Sequence, residues 1–434
     1  MSIDSGELRV LVALDSYGAQ GAKLSPNGKF LAYDLVQEGN KDIFILSINE
    51  DAVTRLTNSP AEDVNPLWSP HGKNILFRSK RRGSWDLWGI GVNNGKAAGT
   101  PFLVKSNIGE AFLSTWTSNG KLLYGIENSM QDIYVVAVDL VSGMVTDPAY
   151  QFVKSYSGKN LRPMWSYNGK HLTYVSTRHD GRRTTACSLN LETGEEREIR
   201  PDLNWIHTVR LSPNGEEVAV TGLDKKDQRV AHLISLETGE EKILIQEGDL
   251  GDWLPDGDEI IVWKSKPGSI LKEPGFYSMN VKNGELKQIF TLPSEWAMSG
   301  LLELSPNGKK AFALVGNESG RALWILPFDG SNPEEILKCN RPANIATPTW
   351  SPDGKKIAYL YIDDMWGESE GYNIWVISVV GGVPKKLDIT VPGKIMIFRP
   401  AWSPDGTKIA FTIDRSVSEA WVMENFLPIT ETKK

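Results

Sequence analysis

Residues 348–360 read PTWSPDGKKIAYL: a short apolar strand ending at Trp350, a tight turn, then a second apolar strand. In the turn Ser351-Pro352-Asp353-Gly354, Pro presets φ and Gly accepts the positive φ that closes it. A loop leads to Ile374-Trp375-Val376-Ile377, Gly381-Gly382 turns the chain again, and Lys386-Leu387-Asp388-Ile389 follows. The stretch therefore predicts a four-stranded antiparallel meander.

The same phrase recurs nine times. The copies are Leu24–Gly28, Trp68–Gly72, Trp116–Gly120, Trp165–Gly169, Leu211–Gly215, Trp253–Gly257, Leu304–Gly308, Trp350–Gly354 and Trp402–Gly406, beginning 42 to 52 residues apart. A second turn recurs with it, at Asn94-Gly95, Ser142-Gly143, Thr193-Gly194, Thr238-Gly239, Asn283-Gly284 and Asp329-Gly330. The first two strands of each unit are nearly continuous in apolar residues, as befits sheets buried on both faces. One such sheet cannot bury its faces alone, so the units must stack around an axis.

The expected fold is all-β: a single closed β-propeller of four-stranded antiparallel blades over residues 1–434. Nine blades are read at 20–58, 62–106, 111–155, 160–202, 206–247, 249–293, 299–338, 345–391 and 396–424. Eight is the alternative, with the sixth unit and its long Lys264–Gly275 loop as the irregular one. The ninth unit runs out after its third strand, and Glu7–Leu14 is a spare strand at the start. That segment, residues 7–14, is expected to complete the last blade and close the ring.

Composition narrows the function. Net charge is −7 and the sequence pI about 5.5, which disfavours bulk attraction to nucleic acid or membrane. Cys187 and Cys339 lie in different units and imply no disulfide framework. The opening MSIDSGELRV has no basic start or apolar core, and no run approaches a membrane span. A cytoplasmic monomer is expected from the sequence as written, with a periplasmic place only if a leader has been removed.

The repeats resemble the TolB-like branch of the WD-repeat-like propellers. Its unit, WSPDG followed by a short apolar strand, a loop and an aromatic third strand, stands here as WSPDGKKIAYL…YNIWVIS, WSPDGTKIAFT…EAWVME, WSPHGKNILFR…WDLWGIG and WTSNGKLLYGI…QDIYVVA. The resemblance covers essentially the whole chain. It implies a propeller that docks protein partners or accompanies a separate catalytic, sensor or membrane module. The family's namesake is exported, and prolyl-oligopeptidase relatives add a hydrolase domain.

Catalytic signals are weak. Gly367-Glu368-Ser369-Glu370-Gly371 spells a nucleophile-elbow motif, but it sits in a loop before a strand rather than a helix, with two acids beside the Ser. His71, His171, His179, His207 and His232 show no close ligand spacing. Only His179 and His207 could converge, which is too few for a metal. No phosphate loop is present, and neither cofactor nor metal is expected. Most Trp residues end first strands or sit in third strands, where they pack blades. Trp205, Trp296 and Trp366 lie in connecting segments.

A site is expected on the face where the loops entering the first strands meet the axis. Three residues before each terminal Trp or Leu stand Gly21, Asn65, Leu113, Arg162, Thr208, Leu250, Leu301, Thr347 and Arg399. Arg162 and Arg399 share the context Arg-Pro-x-Trp-Ser and would favour a carboxylate or phosphate. In a nine-unit ring they stand nearly opposite, so a shared ligand would be large. The second-to-third-strand loops are basic in units two, four, five and six and acidic in one, eight and nine, which would orient a protein partner. The partner-binding residues expected are Asn65, Arg162, Trp205, His207, Thr208, Trp296, Thr347, Phe398 and Arg399. The function read from this is a non-enzymatic protein- or peptide-binding module. The alternatives are a small-anion sensor domain and a metal-assisted lyase or hydrolase acting on an anionic polymer.

Overall fold

The computed structural model describes residues 20–424 apart from 38–39, 110, 129, 155–158, 179–183, 227, 247, 265–273, 294–295, 297–301, 318, 364–371, 392–395 and 416. The regular elements among the described residues are all strands, arranged in nine antiparallel sheets, seven of them four-stranded. All-β meanders are thus what the repeat builds. The proposed closing strand at 7–14 lies outside the described residues.

The turn that decides the fold works by a small side-chain lock. Gly354, at φ 67°, donates its N–H to the Ser351 carbonyl at 2.9 Å. The Ser351 hydroxyl donates to Asp353 Oδ1 at 2.6 Å and accepts the Lys356 N–H at 2.9 Å. The same lock recurs at Ser25, Ser166, Ser212, Ser305 and Ser403.

The indole at the end of the first strand joins neighbouring sheets. Trp68 Nε1 donates to the Lys23 carbonyl (3.1 Å), Trp253 to Arg210 (3.2 Å) and Trp350 to Glu303 (3.2 Å). Each bond crosses to the first strand of an adjacent sheet. Between sheets the space is apolar: Ala219, Leu233 and Ile245 of one pack with Ile260, Val262 and Met279 of the next. Burying one such Leu or Ile contributes about 1.5–3 kcal/mol, so inter-sheet packing dominates stability.

The chain divides into two compact units, residues 1–128 with 417–434, and residues 129–416. The strand pairing that accompanies this division differs from the sequence reading. Residues 111–155 were expected as one meander and 396–424 as another. Instead Leu122–Asn128 pairs with Val417–Met423, and Gln131–Asp139 pairs with Lys408–Asp414. The sheet begun by Met396–Trp402 and Lys408–Asp414 is completed by Gln131–Asp139 and Met144–Gln151, not by Val417–Met423. All second and third strands carry one shared pattern, so local sequence does not dictate which copies pair.

In the smaller unit the first strands Gln20–Leu24, Asp63–Trp68 and Ala111–Trp116 pack in succession. In the larger unit six first strands do so: Asn160–Trp165, Trp205–Leu211, Asp249–Trp253, Glu303–Leu304, Asn344–Trp350 and Met396–Trp402. The last packs back on Asn160–Trp165, and Trp165 Nε1 donates to the Ala401 carbonyl at 3.1 Å.

Candidate functional site

Three of those six strands carry an X-Pro step that breaks their ladder. Register shifts lie between Leu161 and Met164, Ala346 and Thr349, and Phe398 and Ala401. Pro163, Pro348 and Pro400 have no N–H to donate, and each keeps its predecessor out of the right-handed helical region. The predecessors take left-handed backbone instead: Arg162 at φ 61°, Thr347 at 42° and Arg399 at 49°. For a β-branched residue such as Thr347 this is strained, at a cost of roughly 1–3 kcal/mol. Thr412 Oγ1 holds the Arg162 bulge by accepting its N–H at 3.1 Å.

These bulges bring Arg162, Thr347 and Arg399 around one small cavity of about 20 Å³, together with His207, Thr208, Arg210 and Glu303. The Arg162 guanidinium donates to the His207 carbonyl. No described acid forms an ion pair with Arg162 or Arg399. Burial lowers Arg162 below the ordinary guanidinium range. Burial, then the Arg162 and Arg210 charges, push Arg399 down to about 9. His207 falls to about 4 through burial and the guanidiniums of Arg162, Arg229 and Arg399, so it is neutral at pH 7. His207 Nε2, Thr347 Oγ1 and Arg210 Nε are buried without a hydrogen-bond partner.

Arg210 and Glu303 also line a second, wider cavity of about 310 Å³. Its walls include Trp253, Trp350, Trp402 and Pro213, Pro255 and Pro306, and Asp252 shares its polar end. Arg210 Nε lies 3.8 Å from Asp252 Oδ1. Glu303 Oε1 accepts the Trp350 N–H at 2.8 Å and the Thr349 hydroxyl at 3.0 Å. Burial and the nearby Asp252 charge nonetheless raise Glu303 to about 7, against the pull of Arg210.

Of the expected site residues, Arg162, His207, Thr208, Thr347 and Arg399 thus meet at one cavity. Arg162 and Arg399 are not opposite one another, because the strands that bear them are packed neighbours in the six-strand succession. Phe398 packs on Tyr372 with ring centroids 5.4 Å apart, and Trp296 on Trp324 at 5.0 Å, so both serve the core. Trp205 is half-buried and lines neither cavity. Asn65 belongs to the smaller unit, where its N–H donates to Asp34 and its Oδ1 accepts the Leu113 N–H, each at 2.8 Å.

His179, Leu301 and the 367–371 loop lie outside the described residues. Several rim cations are committed locally: Arg81 is bidentate on Asp63 at 2.8 Å, Arg178 pairs with Glu196 and Glu198, and Arg229 with Asp249. No group of three or more His, Cys, Asp or Glu among the described residues could hold a metal ion.

Sequence reasoning missed Arg210, Asp252 and Glu303. Each stands one residue before the terminal Trp or Leu, where other units have Leu67, Met164 or Ala401. Charged residues at this position in three consecutive units were the available signal.

Comparison with known proteins agrees with the repeat geometry. A family model described as the TolB beta propeller domain matches residues 2–147. The Tol-Pal system protein TolB of Francisella tularensis subsp. tularensis is 25% identical over 246 residues, covering 56% of this chain and 54% of the relative. The chain thus resembles the TolB-like β-propellers, with the family model matched over its first third. An uncharacterized protein of Agrobacterium fabrum is 26% identical over 158 residues, 35% of this chain and 52% of that protein. A solved structure from Agrobacterium tumefaciens that carries the TolB name superposes with a TM-score of 0.51 at 17% identity. It covers 66% of this chain and 99% of that structure, and it supports the fold alone.

The chain spans about half the length of the curated relatives it matches. The similarity to Tol-Pal system TolB proteins, which are periplasmic, overturns the cytoplasmic placement expected from the opening residues. No helix among the described residues is long and apolar enough to cross a membrane.

Proposed function

We propose that this TolB-like chain is a protein- or peptide-binding module, and that residues 129–416 form a six-bladed propeller presenting its contact site at the axis. The observation that carries the reading is the pair of guanidiniums there, Arg162 and Arg399, with which no described acid forms an ion pair, while Arg210 beside them has Asp252 and Glu303 nearby. A buried cation costs several kcal/mol unless a counter-charge completes it, by rough estimate. An acidic side chain or terminal carboxylate on a partner would supply that charge, and Arg presents a fork suited to it. The Tol-Pal naming of the relatives points to work within a protein assembly.

The metal-assisted lyase reading is less well supported. His207, its described candidate ligand, faces three guanidinium charges that would repel a metal cation.

The test is affinity capture from cells of the source organism with wild type beside the triple variant Arg162→Ala/His207→Ala/Arg399→Ala. A partner held by wild type and lost by a triple variant that melts no lower supports the reading. Equal capture by both removes the site assignment.

A further inference from the structure

The small axial cavity is limited in size as well as in charge. A volume of about 20 Å³ exceeds by little the roughly 10–15 Å³ that one water needs. That suits a monatomic anion or the head of one carboxylate better than a polyanion. Arg162 donates to the His207 carbonyl, Arg210 lies 3.8 Å from Asp252 Oδ1 and Glu303 lines the same cavity, but the remaining donors around it are unmet. Arg210 is 5% exposed, and its Nε has no hydrogen-bond partner. Thr347 Oγ1 and His207 Nε2 are likewise buried and unmet, and in its Nε2–H tautomer the neutral imidazole donates. The Arg399 side chain makes no hydrogen bond or ion pair with a described residue. The left-handed backbone at Arg162, Thr347 and Arg399 recurs at three strands, and all three residues line the cavity.

We infer that the cavity bounded by Arg162, His207, Arg210, Thr347 and Arg399 is a binding site for a single small monovalent anion, either chloride or one carboxylate group. This deepens the docking reading, since a partner's carboxylate would enter the same cavity, but the anion site can be tested with no partner present.

Purified full-length chain is melted in rising sodium chloride, sodium acetate or sodium phosphate at matched ionic strength, beside Arg399→Met. The variant keeps an apolar stem in place of the guanidinium and need not lose stability. A saturable rise in the wild-type midpoint of about 2–4 °C with chloride, absent in Arg399→Met, is the expected result. Acetate matching chloride assigns a carboxylate, and chloride alone assigns the inorganic ion. Equal responses of wild type and Arg399→Met, or a phosphate response exceeding that of chloride, overturn the inference. A positive anion response with failed partner capture would separate this site from the docking reading.

Discussion

The smaller and larger units treat the same repeat position differently. In the smaller unit it is held by Asn65, also left-handed at φ 58°, whose backbone and side chain are satisfied by Asp34 and Leu113. Buried acids there have cations beside them: Asp63 binds Arg81, and Asp42 binds Arg55. In the larger unit the position is held by Arg162, Thr347 and Arg399, and its guanidiniums have no such acids among the described residues. Both bulges have backbone partners, Asp34 for Asn65 and Thr412 for Arg162, but the larger unit's Arg399 and Thr347 side chains are left without a described partner. The difference separates a bulge satisfied by neighbouring strands from one whose guanidiniums lack a described acid, the feature on which the proposed recognition role rests.

The contrast is broken most forcefully by removing a cation from each unit. Arg81→Met strands Asp63, whose side chain is fully buried, and should destabilise the fold by about 3–5 kcal/mol. Urea unfolding would show it, and a change under about 1 kcal/mol would mean the pair is dispensable. Arg399→Met should have the opposite sign, raising stability by about 1–2 kcal/mol, because it removes a charge that nothing neutralises. A loss of similar size would show that Arg399 has a partner the account lacks.

Glu303 sharpens the comparison through pH. Its folded pKa, about 7, lies above the ordinary value of 4.5, so between those pH values the native state holds more protons. Its contribution is therefore complete below about pH 4.5 and lost as pH rises through 7. His207 acts in the reverse sense: its depressed pKa, about 4, makes stability fall as pH drops from 6.5. Glu303→Gln should match wild type near pH 4 and exceed it by about 3 kcal/mol at pH 8. A pH-independent difference would contradict the assigned burial. The smallest effect belongs to Thr347→Gly, where relief of left-handed strain offsets the entropy of Gly and leaves a gain of about 1 kcal/mol or less. A clear loss would mean that the Thr347 side chain is bonded in the native state.

Much of this was legible in the chain. Trp350-Ser351-Pro352-Asp353-Gly354 states its turn because each residue acts locally: hydroxyl lock, preset φ, permissive Gly. Arg162 and Arg399 stood out because they share the context Arg-Pro-x-Trp-Ser. Which copies pair was not legible, since Leu122–Asn128 meets a strand almost 300 residues away through a pattern that every unit shares. Counting repeats as one ring therefore set Arg162 and Arg399 apart, when their strands are packed neighbours. Phe398 and Trp296 were read as contact residues, and sequence position does not reveal that each ring has an aromatic neighbour in the fold. Glu303 and Asp252 were passed over because acids in an apolar strand make sense only once the axis they face is known.

The central claim is that the axis of the 129–416 unit is an open cationic site. The most direct test is a crystal structure of the wild-type chain grown in sodium bromide, with data collected at the bromine absorption edge. The account predicts one anomalous peak inside the cavity, within hydrogen-bond distance of the Arg162 or Arg399 guanidinium. A cavity without bromide, its guanidiniums turned onto acids of the same chain, would contradict it.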